Sequence, residues 1–279
     1  IFTGSSSNGI SLASSANRTN IAKNNITMRG SGNGIAVLSY SLYNTINLSI
    51  INHTGSGDGI SLNLGLNSTL LDNNISAYGT GDGISFTSIN DSNITGNFAF
   101  ARSNSAGNAV VLSDSNQNKF VNNYFISNGS AISFASTSNL NLVYDSRLNS
   151  TNGNDISFSA TTSGTVNLTN TTLLRKTRGF ASGSTVLLNL IWYFDAYVEY
   201  NNATLVQDAN VTAWNISGSD VAAFSALTGA DGRISRQTLL EYAENLTRVQ
   251  YYNNYTINAT KNITGIRNVT RSINITSSI

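Results

Sequence analysis

The eight-residue phrase GSGDGISL, Gly55 to Leu62, is one copy of a pattern that also starts at Ser5 as SSSNGISL, at Gly30 as GSGNGIAV and at Gly79 as GTGDGISF. Looser copies start at Ser105, Ser127 and Thr151, so one unit follows another every 22 to 26 residues. A repeat of this length must be interpreted before any single motif inside it. Each unit is a supersecondary element that buries its apolar side only by stacking on its neighbours.

Inside each unit, apolar residues alternate over three or four positions. Examples are Ile10-x-Leu12 and Ile26-x-Met28, then Ile35-x-Val37, Ile46-x-Leu48 and Ile50, then Ile84-x-Phe86, Ile94 and Phe98-x-Phe100. Period-two alternation predicts short strands with one buried face. Three such strands per unit, separated by Asn/Gly/Ser turns, fit one coil of a parallel β-helix of about seven coils. Two inward columns follow from the alignment: Ile10, Ile35, Ile60, Ile84, Val110, Ile132 and Ile156, and Leu12, Val37, Leu62, Phe86, Leu112, Phe134 and Phe158. Asn17, Asn44, Asn67, Asn90, Asn116 and Asn139 recur at one turn, where an Asn ladder with left-handed backbone is expected. Asp58 and Asp82 fall on the same position as Asn8, Asn33 and Asn108, which reads them as turn residues.

A minority reading pairs Asp58 with Asp82 across adjacent coils for acid/base chemistry or cation binding. No third acid, basic residue or histidine joins them at that turn in the neighbouring coils, and His53 is expected to be an incidental surface residue. No catalytic, cofactor-binding or metal-binding residue is therefore assigned. The chain has no Cys, a net charge of +1 and only 10% charged residues. That excludes a disulfide framework and argues against nucleic-acid binding, which needs a clustered basic footprint. No apolar run approaches the roughly 20 residues of a membrane span.

Through NNITMRGSGNGIAVLSYSLYNTI and NNISAYGTGDGISFTSINDSNITGN, the chain resembles right-handed parallel β-helix repeat proteins, including the periplasmic copper-maturation β-helix group. The resemblance implies the architecture of residues 1 to 164. It implies little about activity, since such proteins include sugar-cleaving enzymes, epimerases and passive surface proteins, and the His and Met residues of a copper handler are almost absent here. Residues 165 to 279 carry longer strands, such as TVLLNLIWYFDAYVEY. Through AYVEYNNATLVQDANVTAWN and TGADGRI they resemble carboxypeptidase regulatory-like or Ig-like β-sandwich modules, without the usual Gly-x-Pro turn. Asp231-Gly232 reads as a hairpin turn, and Trp192, Tyr193, Phe194, Tyr197 and Trp214 as core and interface aromatics. The pairing of the two parts is similar to secreted archaeal surface proteins, which implies an extracellular or cell-surface location.

Glycosylation acceptor triplets, Asn-x-Ser/Thr, occur at 21 of the 42 Asn residues. Beyond residue 160 they take 11 of 14: Asn167, Asn170, Asn202, Asn210, Asn215, Asn245, Asn254, Asn258, Asn262, Asn268 and Asn274. About a quarter would arise by chance from the Ser and Thr content. Asn25, Asn52, Asn74 and Asn93 are further candidates in the repeat. In a strand the Asn and the hydroxyl two positions on share a face, and NITGIRNVTRSINIT would bury Ile263, Val269 and Ile275. The expected function is a non-enzymatic, N-glycosylated extracellular structural protein. Head-to-tail self-association into a filament or surface layer is expected because the chain opens inside a coil without a polar cap. The alternative is a polysaccharide-binding or polysaccharide-cleaving β-helix using Asp58, Asp82, Tyr40, Tyr43 and Tyr78.

Overall fold

A computed structural model describes residues 2–3, 6–13, 15–102, 107–215, 222–252, 254–261 and 267–274. Every regular element among them is a strand, so the chain is all-β. It divides into two compact units, one of Ile1–Leu188 with Asn245–Thr247, the other of Asn189–Glu244 with Arg248–Ile279.

The first unit is a parallel β-solenoid of about seven coils, and each coil gives one strand to each of three sheets. The first sheet runs from Ile10–Leu12 through Ile60–Leu66 and Ile84–Asn90 to Arg178–Phe180, the second from Asn20–Ala22 to Ser163–Thr169, and the third from Phe2–Thr3 through Asn74–Ala77 to Thr172–Leu173. Both apolar columns read from the repeat are present. Ile10 pairs with Ile35, Ile35 with Ile60, Ile60 with Ile84, Ile84 with Val110, Val110 with Ile132, and Ile132 with Ile156. The Leu12 to Phe158 column keeps the same register. From Ile35 and Val37 onward these side chains are almost wholly buried, each worth roughly 1.5–3 kcal/mol relative to exposure. Phe86, Phe120 and Phe125 meet edge to face in the middle, with centroids 6.1 and 6.2 Å apart.

In two strands the face is opposite to expectation. In Phe98–Ala101 the inward residues are Ala99 and Ala101, both fully buried, while Phe98 and Phe100 point out. Ile51 likewise takes the inward place and Ile50 the outward one. The cause lies in the available volume. Ala99 lies between Ile75 and Phe125 in register, and Phe125 packs on Phe120 and Phe120 on Phe86, so rings from other strands already fill the interior there.

Three corners per coil turn the chain with left-handed backbone, and the corners stack. One column is Tyr40, Leu64, Ser88, Asp114 and Ser136, a second Arg18, Tyr43, Asn67, Asp91, Gln117 and Leu140, and a third Lys23, Leu48, Asp72, Gly96, Asn122, Asp145 and Asn170, all with φ between 49° and 67°. The expected Asn ladder is present in part. Asn90 Oδ1 accepts from the Asn116 N–H, Asn116 from Asn139 and Asn139 from Thr165, at 2.7 to 2.9 Å. Asn67 is instead a corner residue, and Asn44 caps a separate row by accepting from Thr19 N. A further buried row escapes the repeat analysis: Asn73, Asn97 and Asn123 each accept from a backbone N–H of the rung before and donate to a carbonyl of that same rung, Ile46, Leu70 and Ile94 respectively. Leu140 sits at a corner with φ 55° and is 51% exposed, so its side chain gains little there. A left-handed L-residue costs roughly 1–2 kcal/mol, least for Asn. Leu140→Asn is therefore expected to raise stability by about 1 kcal/mol, read as a higher denaturant midpoint at unchanged slope.

The stack continues past residue 164, the expected boundary. Ile156 pairs with Arg178 and Phe158 with Phe180, and the Phe134, Phe158 and Phe180 rings stack with centroids 5.4 and 5.0 Å apart. Arg178 interrupts the apolar alternation, which hides this rung from the sequence pattern. In the second unit, Phe224–Leu227, Asn210–Asn215, Asn254–Lys261 and Arg267–Asn274 form a four-stranded antiparallel sheet in that order. Gln237–Glu244 pairs with Val249–Tyr251 as a hairpin. Ala213, Leu239 and Tyr255 form a core with Phe194, Phe224, Tyr252 and Ile257 around it. Trp192 donates its indole N–H to Glu241 at 2.5 Å. Tyr197 and Trp214, expected inside, are 45% and 39% exposed; Trp214 shares the outward parity of Asn210 and Thr212 in its strand. Asp231 and Gly232 lie in a tight turn, with Gly232 at φ +70° and Asp231 Oδ1 accepting from Arg233 N.

Candidate functional site

The repeated Gly-rich turn leads into the first sheet, and its Asn/Asp position forms a continuous ladder. Asn8 Oδ1 accepts from the Asn33 N–H, Asn33 from Asp58, Asp58 from Asp82, Asp82 from Asn108 and Asn108 from Ser130, at 2.6 to 3.0 Å. Gly79 shows how close the rungs pack, for a Cβ there would lie 1.5 Å from the Gly55 carbonyl oxygen. Asp58 and Asp82 are thus neighbours in one row. Burial raises the Asp58 carboxyl, and the Asp82 N–H, His53 and Ser85 oppose the rise. Burial and, to a smaller extent, the Asp58 charge raise Asp82 to about 6, against the hydrogen bond from Asn108 N. Adjacent outward positions carry Ser61 and Ser85, paired in register.

His53 is a core residue, not a surface one. It ends the strand Ile50–His53 with no exposed surface, its Nε2 is 2.7 Å from the Gly32 carbonyl, and its Nδ1 accepts from the Gly55 N–H. It shares inward parity with Ile51, the signal that would have placed it. Met28 is its register partner on the rung before and is equally buried. Tyr40 and Tyr43 sit at corners beyond the far end of the first-sheet strand, away from the aspartates, whereas Tyr78 lies on the segment leading into the turn.

The acceptor triplets take a common geometry in the solenoid. Asn25, Asn74 and Asn93 are exposed, the middle residues Ile26, Ile75 and Ile94 fully buried, and Thr27, Ser76 and Thr95 half-exposed on the Asn side. Asn52 is half-exposed beside buried His53. Asn167 and Asn170 are half-buried, and the Asn170 carboxamide donates to Asp145. Asn202 and Asn245 lie in turns, where each side-chain oxygen accepts from the N–H of the Thr two residues on. In the four-stranded sheet Asn210 pairs with Thr260 and Thr212 with Asn258, while Asn254 is exposed beside buried Tyr255. Asn254 is also the register partner of Asn274, and Thr260 of Asn268. Asn215 is half-buried at the end of its strand. Asn262, Ile263 and Ile275 lie outside the described residues, as does the side chain of Val269.

A family model described as periplasmic copper-binding protein (NosD) matches residues 4–177, well over half of the chain. The chain belongs to the NosD family. No match was found among curated proteins compared by sequence. Among solved structures, ORF18 of Geobacillus virus E2 is similar at 11% identity and a TM-score of 0.41, over 81% of this chain and 64% of that one. The enzymatically active domain of tailspike protein 2 of bacteriophage CBA120 gives 12%, 0.39, 93% and 57%. The tailspike of E. coli bacteriophage HK620, solved with a hexasaccharide, gives 9%, 0.32, 96% and 66%. The chain therefore spans less than two thirds of each of these proteins. No helix long and apolar enough to cross a membrane occurs among the described residues.

Proposed function

We propose that this chain is a non-enzymatic structural glycoprotein of the cell exterior, a solenoid with a β-sandwich-like second unit, comparable with secreted archaeal surface proteins. The observation that carries the reading is the face shared by the acceptor triplets. In the triplets Asn25-Ile26-Thr27, Asn74-Ile75-Ser76, Asn93-Ile94-Thr95, Asn210-Val211-Thr212 and Asn254-Tyr255-Thr256, the Asn and its hydroxyl partner lie on one side, and the buried residue between them faces the core. A glycan can be attached there without disturbing the core. The aspartates fit the same reading, because Asp58 and Asp82 each commit an oxygen to the N–H of the next rung.

The family's description includes copper binding, and the residues present do not fit such a site. Both ring nitrogens of His53 are engaged, His53 and Met28 have no exposed surface, the chain has no Cys, and among the described residues no three His, Cys, Asp or Glu side chains cluster.

One observation favours the alternative of polysaccharide binding or cleavage: a carboxyl raised to about 6 stands beside a second carboxylate and a row of outward serines. A raised carboxyl is a candidate general acid. Incubation with a panel of acidic and neutral polysaccharides separates the two. The structural reading expects no sugar release and no binding; release that disappears in Asp82→Asn would establish the alternative. In its strongest form the proposal includes self-association into a filament or surface layer, for which rods of repeating subunits in electron micrographs of native material are the expected result.

A further inference from the structure

The third sheet of the solenoid has an outer face that changes character along the stack. Over its earlier rungs the outward positions are Asn25 and Thr27, then Ile50 and Asn52, then Asn74 and Ser76. Over the next two they are Phe98 and Phe100, then Tyr124 and Ile126. Phe98 and Tyr124 meet edge to face at 5.7 Å, Tyr78 and Phe100 at 5.8 Å, and the Arg147 guanidinium lies 5.2 Å over the Tyr124 ring. These rings are half-exposed, with Tyr78 at 49%. A cluster of outward aromatics on a solenoid face marks a surface that something covers.

Resting on the glycoprotein reading, we propose that the cover is the glycan attached at Asn74, whose first sugars lie over Phe98 and Tyr124. The register supplies the argument. Asn74 pairs directly with Phe98, and Ser76, the hydroxyl of its acceptor triplet, pairs with Phe100. Asn74 is exposed, and its carboxamide makes no hydrogen bond among the described residues. Rungs are about 4.8 Å apart, so a pyranose linked to the Asn74 side chain reaches the Phe98 ring one rung away, and the next sugar reaches Tyr124. A pyranose has one face of C–H groups and a rim of hydroxyls. The first suits an aromatic surface, while the rim meets water, the Tyr78 hydroxyl and the Arg147 donors. Because the sugar is tethered, its effective concentration at the face is high, and weak stacking suffices to hold it there.

The test is a double-mutant cycle on protein made in its natural glycosylating host, with Phe98→Ala and Asn74→Gln alone and together, and peptide mapping of Asn74. In the glycosylated protein Phe98→Ala is expected to lower the folding equilibrium constant roughly two- to tenfold more than it does in the Asn74→Gln background, the range of one aromatic contact. Phe98→Tyr, which keeps the ring, should show no such difference between the two backgrounds. An equal effect of Phe98→Ala in both backgrounds, on protein mapped as glycosylated at Asn74, would overturn the proposal and leave the glycoprotein reading standing. A bare Asn74 alongside glycans at other sites would overturn it as well, whereas bare sites throughout would remove the reading beneath it. Binding of free polysaccharide to this face in Asn74→Gln protein would reassign the surface to an external ligand.

Discussion

Asp82→Asn is expected to stabilise the solenoid at pH 7 by about 1–3 kcal/mol and to leave it nearly unchanged at pH 4. Burial raises the Asp82 carboxyl from 3.8 to about 6 in the folded chain. Between those values the folded state holds a proton that the unfolded state has released, so stability falls as pH rises through this window and levels off above it. Asparagine carries no charge to desolvate. It keeps the oxygen that accepts from Asn108 N, and it is the residue found on the same ladder at Asn8, Asn33 and Asn108. Asp58 is shifted in the same direction, so the double change should flatten the remaining slope. Urea unfolding at pH 4, 5, 6 and 7 measures the effect. A variant whose pH dependence matches the parent would show that the ladder carboxylate is not desolvated.

The second large effect is at Asp155, which immediately precedes the first-sheet strand Ile156–Phe158 and has no exposed surface. Its Oδ1 accepts from Ser150 N and its Oδ2 from Arg175 N, both at 2.8 Å, so one carboxylate ties three segments of chain together. Asp155→Ala leaves the N–H of buried Ser150 and the Arg175 N–H without their acceptor. Hydrogen bonds to a charged group contribute about 1.5–3 kcal/mol each, so a loss of roughly 3 kcal/mol or more is expected. Asp155→Asn keeps one acceptor and should lose about half as much. Equilibrium unfolding of the two variants tests this, and a loss below about 1 kcal/mol in Asp155→Ala would mean that other groups satisfy those donors.

The architecture was legible because the repeat aligns Ile60 with Ile35 and Ile84, and the register reproduces that alignment residue for residue. The turn ladder was legible for the same reason. What the alternation could not decide was the face of Phe98-Ala99-Phe100-Ala101. A period of two fits either parity, and a shift of one residue exchanges every side chain. The choice depends on volume left by Phe86, Phe120 and Phe125, which belong to other strands. His53 was misplaced because residue type outweighed its shared parity with Ile51. The buried row of Asn73, Asn97 and Asn123 was overlooked for a similar reason, since Asn is usually read as a surface residue; the doublet Asn73-Asn74, one inward and one outward, is the signal that carries it.

Site-by-site mapping of peptides from native protein tests the central claim most directly. The account predicts glycans on the exposed acceptor residues, Asn74, Asn93, Asn202 and Asn254 among them, with the half-buried and hydrogen-bonded Asn170 occupied least. Unmodified asparagine at all of these positions would contradict it.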